Sequence, residues 1–178
     1  GSATNGVTVV GNKARGITKL EQLKGGRIAT PQYGNTQDIS ARYFLTRLLD
    51  AKLKSKGGET DVFPISNPDI ETLFVKDDID GAWVPEPWGS RLVVRDLVNP
   101  IVEEKELWPG KSFAMTSVIA RKAFLDKYPE LVSRFLQAHI RMTQELKDDP
   151  QRFVKPVNAE LKRLTTKSLP EEVVSGSL

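Results

Sequence analysis

The chain has 178 residues, 39% of them hydrophobic and 28% charged, with a net charge of +3 and no cysteine. This length and composition allow one full hydrophobic core. The absence of cysteine excludes disulfides, thiolate metal ligands and cysteine nucleophiles. No apolar run approaches the length of about 20 residues that a membrane-spanning helix needs. The mild charge, without a basic stripe carrying aromatic residues, argues against nucleic-acid binding.

The first six residues are predicted to lie outside the domain. Residues 1–6 open with Gly-Ser-Ala-Thr, which resembles a cloning remnant, so they are expected to be a linker. No leader peptide is visible, and processing would remove one.

Strands alternate with helices through the first hundred residues, which is typical of a parallel sheet with helices on both faces. After residue 123 the pattern is helical to the end. The predicted strands are Val7–Val10, Arg27–Thr30, Thr60–Ile65, Asp80–Pro85, Asn99–Glu103 and Ser112–Ala120. Helices are predicted at Thr36–Leu49, from Asn67 to Val75 and from Trp88 to about Val94.

Three loops follow the predicted parallel strands: Pro31–Asn35, Ser66–Asn67 and Pro85–Trp88. Ligands of such sheets bind at the carboxyl ends of the strands. These loops are also the most chemically distinctive parts of the sequence. Their coincidence predicts a small-molecule site.

The first loop leads into a helix start, Gly34–Asp38, that can hold a small anion. Asn35 or Thr36 can cap the helix, and Gly34 lets the backbone approach a ligand. Backbone N–H groups, the Thr36 hydroxyl and the Gln37 amide would then contact the anion. Asp38 is expected to be a structural partner of the cap, because a carboxylate there repels an anion. The alternative is that this segment is only a cap.

The other two loops and the strand that leads into the third offer five candidate ligand-binding residues, most of them with a structural alternative. Ser66 can reach into the same crevice, whereas Asn67 is expected to be a helix cap. Trp83 belongs either to the core or to the ligand surface. Glu86 can accept a hydrogen bond from a ligand amine or hydroxyl, or can cap the next helix. Trp88 can stack on a ligand or pack under its loop.

Two charged clusters are predicted to be solvated surface. Lys52, Lys54 and Lys56 follow a helix, and the acidic run 103–106 precedes Trp108. Trp108 itself is expected either in a contact between lobes or as a lid over the sheet edge.

Several ordered motifs together resemble the substrate-binding proteins of ABC importers for nitrate, aliphatic sulfonates and taurine. The resemblance covers nearly the whole chain, from about residue 7 to residue 174. The segments that carry it are Ile28–Asp38, Asn67–Asp69, Asp80–Trp88, Leu107–Pro109, Asn158–Leu164 and Leu169–Val173.

The resemblance implies an α/β fold, the three-layer α/β/α lobe of a type II periplasmic binding protein. Residues 7–122 would form a ligand-binding lobe with a mainly parallel sheet, and residues 123–178 a helical segment packed on it. The crossing strands 7–10 and 116–120 are expected to pair antiparallel. The family's other lobe is missing, so a cut or natural truncation is expected.

The function implied is a solute-binding component that captures a small organic anion, such as an alkanesulfonate or a taurine-like compound. An ABC permease would be its partner in the full-length protein. Its location would be periplasmic or extracytoplasmic after signal-peptide or lipid processing. No cofactor, metal or catalytic residue is expected, since the single histidine, His139, cannot build most hydrolytic or metal sites.

The alternatives are a single lobe that binds little ligand and forms a homodimer, and a relative of the synthases that make the pyrimidine precursor of thiamine. A third is a ligand-sensing regulatory domain.

Overall fold

The computed structural model describes residues 3–165 and 168–178, and the chain forms two compact units, Gly1–Thr116 and Ser117–Leu178. The first unit has α/β architecture. Its strands are β1 (Ala3–Thr4), β2 (Val7–Asn12), β3 (Arg27–Thr30), β4 (Asp61–Pro64), β5 (Gly81–Pro85), β6 (Val98–Glu103) and β7 (Ala114–Thr116). Its α-helices are α1 (Thr36–Leu49), α2 (Asn67–Val75) and α3 (Trp88–Val94).

The main sheet has five strands in the order β4-β3-β5-β2-β6. Strand β3 pairs parallel with β4 and β5, whereas β2 pairs antiparallel with both β5 and β6. Strand β6 therefore runs in the same direction as the three parallel strands. The sheet is mainly parallel with one reversed strand, and the α/β class is confirmed.

The antiparallel crossing pair forms from other residues than the sequence predicts. Val7–Val10 does not pair with residues 116–120, because β2 lies inside the main sheet. Val7, Val9 and Val10 are buried there, and this burial requires neighbours on both sides. The pair is instead the ribbon β1–β7, with Ala3 opposite Thr116. Ala3 and Thr4, in the segment predicted to be a linker, thus form a strand, whereas residues 117–120 form none. Residues 1–2 of that segment lie outside the described residues.

The two faces of the sheet carry separate apolar clusters, which makes three layers. Trp83 points to the face covered by α1, where it packs with Phe44. Its neighbours Ala82 and Val84 point to the face covered by α2 and α3. This alternation along β5 is the period of two that a strand imposes.

One residue of the acidic run is buried, contrary to the expectation of a solvated surface. Glu104 is 1% exposed in the 3-10 helix Glu104–Leu107. Its carboxylate accepts hydrogen bonds from the indole N–H groups of Trp83 (2.7 Å) and Trp108 (2.9 Å). Trp108 is partly buried against the same cluster. The carboxylate therefore ties the chain after β6 to the core, because a buried charge needs such donors.

The second unit consists of helices α4 (Lys122–Lys127), α5 (Pro129–Asp148), α6 (Gln151–Thr165) and α7 (Glu171–Ser177). Val154 on α6 and Val173 on α7 are buried. The Asn158 side chain brackets Leu169, donating to its carbonyl at 2.7 Å and accepting from its N–H at 2.9 Å. Within the described ranges, every helix is too short or too polar to span a membrane.

Candidate functional site

The three predicted loops lie at one edge of the sheet. Strands β4, β3 and β5 are adjacent and parallel, so the chain leaves all three at the same side. Each strand is followed by a helix, α2, α1 and α3 respectively. We call this side the carboxyl edge. The strand order alone brings the loops together here, as it does in open α/β sheets that bind ligands.

Helix α1 begins as predicted, with Asn35 as its N-cap. The Asn35 side-chain oxygen accepts a hydrogen bond from the Asp38 N–H at 2.9 Å. The backbone N–H of Asn35 donates to the Gln32 carbonyl. The N–H groups of Thr36 and Gln37 have no hydrogen-bond partner within residues 3–165 and 168–178. Because the helix start carries the positive end of the dipole, these two donors favour an anion.

Gly34 has a different role from the one predicted. Its N–H donates to the Asp38 carboxylate at 3.0 Å, so it is not available to a ligand. Its φ of +72° lies in the left-handed region, whereas a Cβ built there would meet nothing within 4 Å. Glycine is therefore required by backbone conformation and not by a close approach.

Asp38 is the structural partner of the cap, as expected. It is 2% exposed, and its carboxylate accepts hydrogen bonds from Thr30, Gly34 and Arg42, all at 3.0 Å. Burial alone would raise the pKa of Asp38, but the hydrogen bonds from Arg42, Gly34 and Thr30 outweigh it and lower the pKa below its usual value. The carboxylate is thus held charged behind the helix start.

Gln37 is a mostly buried residue of α1 whose amide has no partner in the described chain. It is 4% exposed, and its side-chain amide makes no hydrogen bond in that part of the chain. The amide atoms keep access to solvent, since neither of them is among the fully buried atoms without a partner. Thr36 beside it is exposed, with its hydroxyl free of such bonds.

The second loop contains another unmet polar atom. Ser66, not Asn67, occupies the N-cap of α2, and its hydroxyl donates to Asp69 at 2.5 Å. The prediction that Asn67 caps the helix is wrong by one residue, because Pro68 takes the second helical position. The Asn67 side-chain oxygen is buried and has no hydrogen-bond partner among the described residues. It therefore joins Gln37 as an unsatisfied group.

The third loop contributes less than the sequence predicts. Trp83 is fully buried, and its indole N–H donates to the Glu104 carboxylate. Of the two predicted positions for Trp83, the one in the core is therefore correct. Pro87 is the N-cap residue of α3, and Glu86, just before it, accepts the Ser90 N–H in the first turn at 3.1 Å with one carboxylate oxygen. Trp88 is partly buried, with the Arg91 guanidinium 5.7 Å from its ring centre.

Sequence reasoning missed two residues that support the site. Arg42 donates to Asp38 and, at 2.7 Å, to the Val62 carbonyl on β4. Thr30, the last residue of β3, donates to Asp38. The spacing of four between Asp38 and Arg42 on one helix was the available signal for this ion pair.

The carboxyl edge offers binding groups rather than a catalytic set. Its free donors are the first N–H groups of α1, a hydroxyl and an amide. Its free acceptors are the buried oxygen of Asn67 and the second oxygen of Glu86. Among the described residues, no three side chains of the metal-binding types are grouped to hold an ion. The arrangement is suited to a small anion that also carries a hydrogen-bond donor.

Comparison with known proteins shows the family of the chain. The sequence pattern of the NMT1-like family matches residues 3–155. The taurine-binding periplasmic protein of Escherichia coli K12 is 31% identical over 165 residues, which cover 90% of this chain and 48% of that protein. The chain thus spans about half the length of this relative.

Solved structures show the same fold at low identity. The alkanesulfonate-binding protein SsuA of Xanthomonas axonopodis pv. citri, bound to MOPS, matches 97% of this chain with 54% of its own, at a TM-score of 0.66 and 19% identity. The periplasmic aliphatic sulphonate-binding protein SsuA of Escherichia coli matches with the same coverage, at a TM-score of 0.69 and 16% identity. These proteins are binding proteins, not enzymes.

Proposed function

Because this chain belongs to the NMT1-like family, we propose that it is a ligand-binding lobe of an ABC importer's solute-binding protein. Its ligand would be a small organic anion of the alkanesulfonate or taurine type. The binding groups come from the loops of the carboxyl edge. The taurine-binding relative supports this ligand class.

The observation that carries the proposal is the set of unsatisfied polar groups at this edge. The side-chain oxygen of Asn67 is buried without a partner in the described chain. The amide of Gln37, in a residue 4% exposed, keeps access to solvent and makes no hydrogen bond there. The N–H groups of Thr36 and Gln37 are equally unpaired within it. A ligand that meets these groups recovers the free energy that burial costs them.

The two charge signs at the edge define the ligand further. The start of α1 favours a sulfonate or carboxylate. The second oxygen of Glu86 is an anionic acceptor, so a ligand with an amine or hydroxyl gains there, whereas nitrate or sulfate alone is disfavoured. A compound with an anion at one end and a donor at the other fits both.

The proposed partner and cellular location rest on the same relatives as the proposed ligand class. We place the protein outside the cytoplasm, delivered by a processed leader, with an ABC permease as partner in the full-length protein. The support is that the relatives named above are periplasmic binding proteins.

A second candidate, a single lobe that self-associates, is favoured by exposed apolar residues on α5. Leu131, Phe135 and Ile140 are 56%, 50% and 67% exposed. Sedimentation across a range of concentrations tests it. A species that stays monomeric at high concentration contradicts it, and a dimer supports it.

Thermal shift with millimolar taurine, ethanesulfonate, nitrate and sulfate tests the proposed ligand class. The organic anions should raise Tm in proportion to the logarithm of concentration over Kd, and the inorganic ones should not. Thr36→Val and Gln37→Leu should each reduce the shift. Thr72→Val, the same change at an exposed position in the middle of α2, is the control. If taurine and ethanesulfonate leave Tm unchanged, the proposed ligand class is wrong.

A further inference from the structure

A cavity of about 630 Å3 lies beside the first loop of the carboxyl edge, and the unsatisfied groups of that edge do not line it. It runs between the second half of α1 and the segment that follows this helix. Its walls include Arg42, Tyr43 and Arg47 on the helix and Lys56 on the segment, with Tyr33 at one end. The volume falls in the range of small-molecule sites, about 300–1,000 Å3. We call it the α1 cavity.

The charge of the α1 cavity is positive. Three cationic side chains and one carboxylate, Asp50, line it. Arg42 is already paired with Asp38 at 3.0 Å. The charged groups of Arg47 and Lys56 make no hydrogen bond or ion pair with any described residue. Two cations are therefore free to meet an anion.

Two tyrosine rings add a flat, apolar surface to these charges. Tyr33 is 73% exposed and Tyr43 is 53% exposed. The Arg42 guanidinium lies over the Tyr33 ring, 5.5 Å from its centre. Exposed rings beside cations offer stacking for an aromatic group while the cations take its charge.

The segment that carries Lys56 is held in one conformation. Leu53 is 6% exposed in the core, and its carbonyl accepts the N–H of Lys56 at 2.8 Å. The Lys54 N–H donates to the Thr60 carbonyl at 2.7 Å. A Cβ at Gly58 would stand 2.0 Å from the Lys52 carbonyl oxygen, so glycine is required for this turn. The wall is preformed, which lowers the entropy cost of binding.

We propose that the α1 cavity binds a small organic anion that carries an aromatic ring, such as an aromatic carboxylate or sulfonate. The three lysines predicted to be solvated surface have different surroundings. Lys54 pairs with Asp61 at 3.2 Å, Lys56 lines the cavity, and Lys52 is exposed outside it. The cavity adjoins the carboxyl edge at Tyr33 and Arg42, but Thr36, Gln37, Asn67 and Glu86 are not among the residues that line it, and the proposal does not rest on the proposed ligand site.

An NMR titration of the 15N-labelled chain with benzoate tests this proposal. Amide shifts should appear at Thr46 and Ser55, which line the cavity, and not at Trp88. Acetate supplies the charge without the ring and benzyl alcohol the ring without the charge, so both should shift these amides less. Raising the salt concentration should weaken benzoate binding.

Matched variants separate the cavity from general surface charge. Lys56→Gln and Arg47→Gln should each weaken benzoate binding by about three- to fivefold, the value of an exposed charge pair. Lys52→Gln, the same loss of charge beside the cavity, should leave the affinity within about twofold. Thr36→Val should also leave it unchanged, which distinguishes this site from the proposed one.

Four outcomes would overturn the proposal. They are benzoate shifts that map to the carboxyl edge, acetate shifts as large as those of benzoate, equal weakening by Lys52→Gln and Lys56→Gln, and no shift at millimolar benzoate.

Discussion

The polar groups at the two edges of the five-stranded sheet differ in how completely they are hydrogen-bonded. At the amino edge, where β3 and β5 begin, the buried Asn12 amide and the more exposed side chains beside it are paired with one another. At the carboxyl edge, the buried Asn67 oxygen, the Gln37 amide and two helix N–H groups have no partner in the described part of the chain. The polar groups are thus hydrogen-bonded to one another at the amino edge, whereas several at the carboxyl edge are left unpaired.

Hydrogen bonds at the amino edge connect the side chains of Asn12, Arg15, Asp77 and Asp80. The Asn12 amide, in a residue 1% exposed, donates to Asp77 at 2.8 Å and to the Ile79 carbonyl at 2.7 Å. Arg15 donates to the carboxylates of Asp77 and Asp80, each at 2.7 Å. The hydrogen bonds that Arg15 donates to Asp77 and then to Asp80 raise the pKa of Arg15 above its usual value. This edge needs no external partner.

The contrast separates stability from binding along a single sheet. A paired buried group stabilises the fold, whereas an unpaired one costs free energy unless a ligand completes it. Departures from full pairing are therefore expected at functional sites. Substitutions at the paired groups should change stability most, and those at the unpaired groups should change binding most.

The largest effect is expected at Asp38, the one fully paired group behind the carboxyl edge. Asp38→Asn removes the charge that Arg42, Gly34 and Thr30 stabilise. Leaving the partly buried Arg42 without its partner should cost about 3 kcal/mol of unfolding free energy. Urea denaturation measures this cost. Asp50→Asn, an exposed carboxylate at the other end of α1, is the control and should change stability little.

The same variant has a defined pH dependence. The pKa of Asp38 is lowered in the folded state. Its contribution is therefore present above the unfolded carboxyl pKa of about 4 and is lost as the pH falls through the folded value. The stability difference between Asp38→Asn and the parent chain should be full at neutral pH and shrink in acid. A difference that is constant with pH contradicts the assigned charge.

The next largest effect is expected at the amino edge. Asn12→Ala removes both donated hydrogen bonds and leaves the buried Ile79 carbonyl without this donor. The cost should be about 2 kcal/mol, close to that of an unsatisfied buried acceptor. Chemical denaturation gives this value, and ligand-induced thermal shifts should persist in the variant. A loss of ligand binding with unchanged stability would reverse the assignment of the two edges.

Local signals predicted the first part of the site, and non-local pairing explains what the sequence could not show. Strand Arg27–Thr30 and helix Thr36–Leu49 have the predicted bounds, because the apolar spacing and the Asn35 cap lie within the segment itself. The position of β2 between β5 and β6 depends on residues more than seventy positions away, so its pairing was predicted wrongly.

Burial of polar groups was equally hidden. Nothing in an acidic run marks Glu104 as the one carboxylate that two indoles hold in the core. The unpaired state of Gln37 is likewise a property of the packed structure, since a glutamine in the first turn of a helix is ordinarily exposed.

The smallest change in stability, and the sharpest test of the contrast, is expected for Gln37→Leu. This substitution roughly conserves volume and removes an amide that has no partner in the described chain, so no hydrogen bond within that part of the chain is lost. Unfolding free energy should stay within about 0.5 kcal/mol of the parent value or rise slightly. The ligand's affinity should nevertheless fall by about fivefold, because the amide's bond exists only in the complex. If Gln37→Leu destabilises the chain as strongly as Asn12→Ala does, the amide is paired in solution. The two edges would then not differ, and the site would have to be sought elsewhere on the lobe.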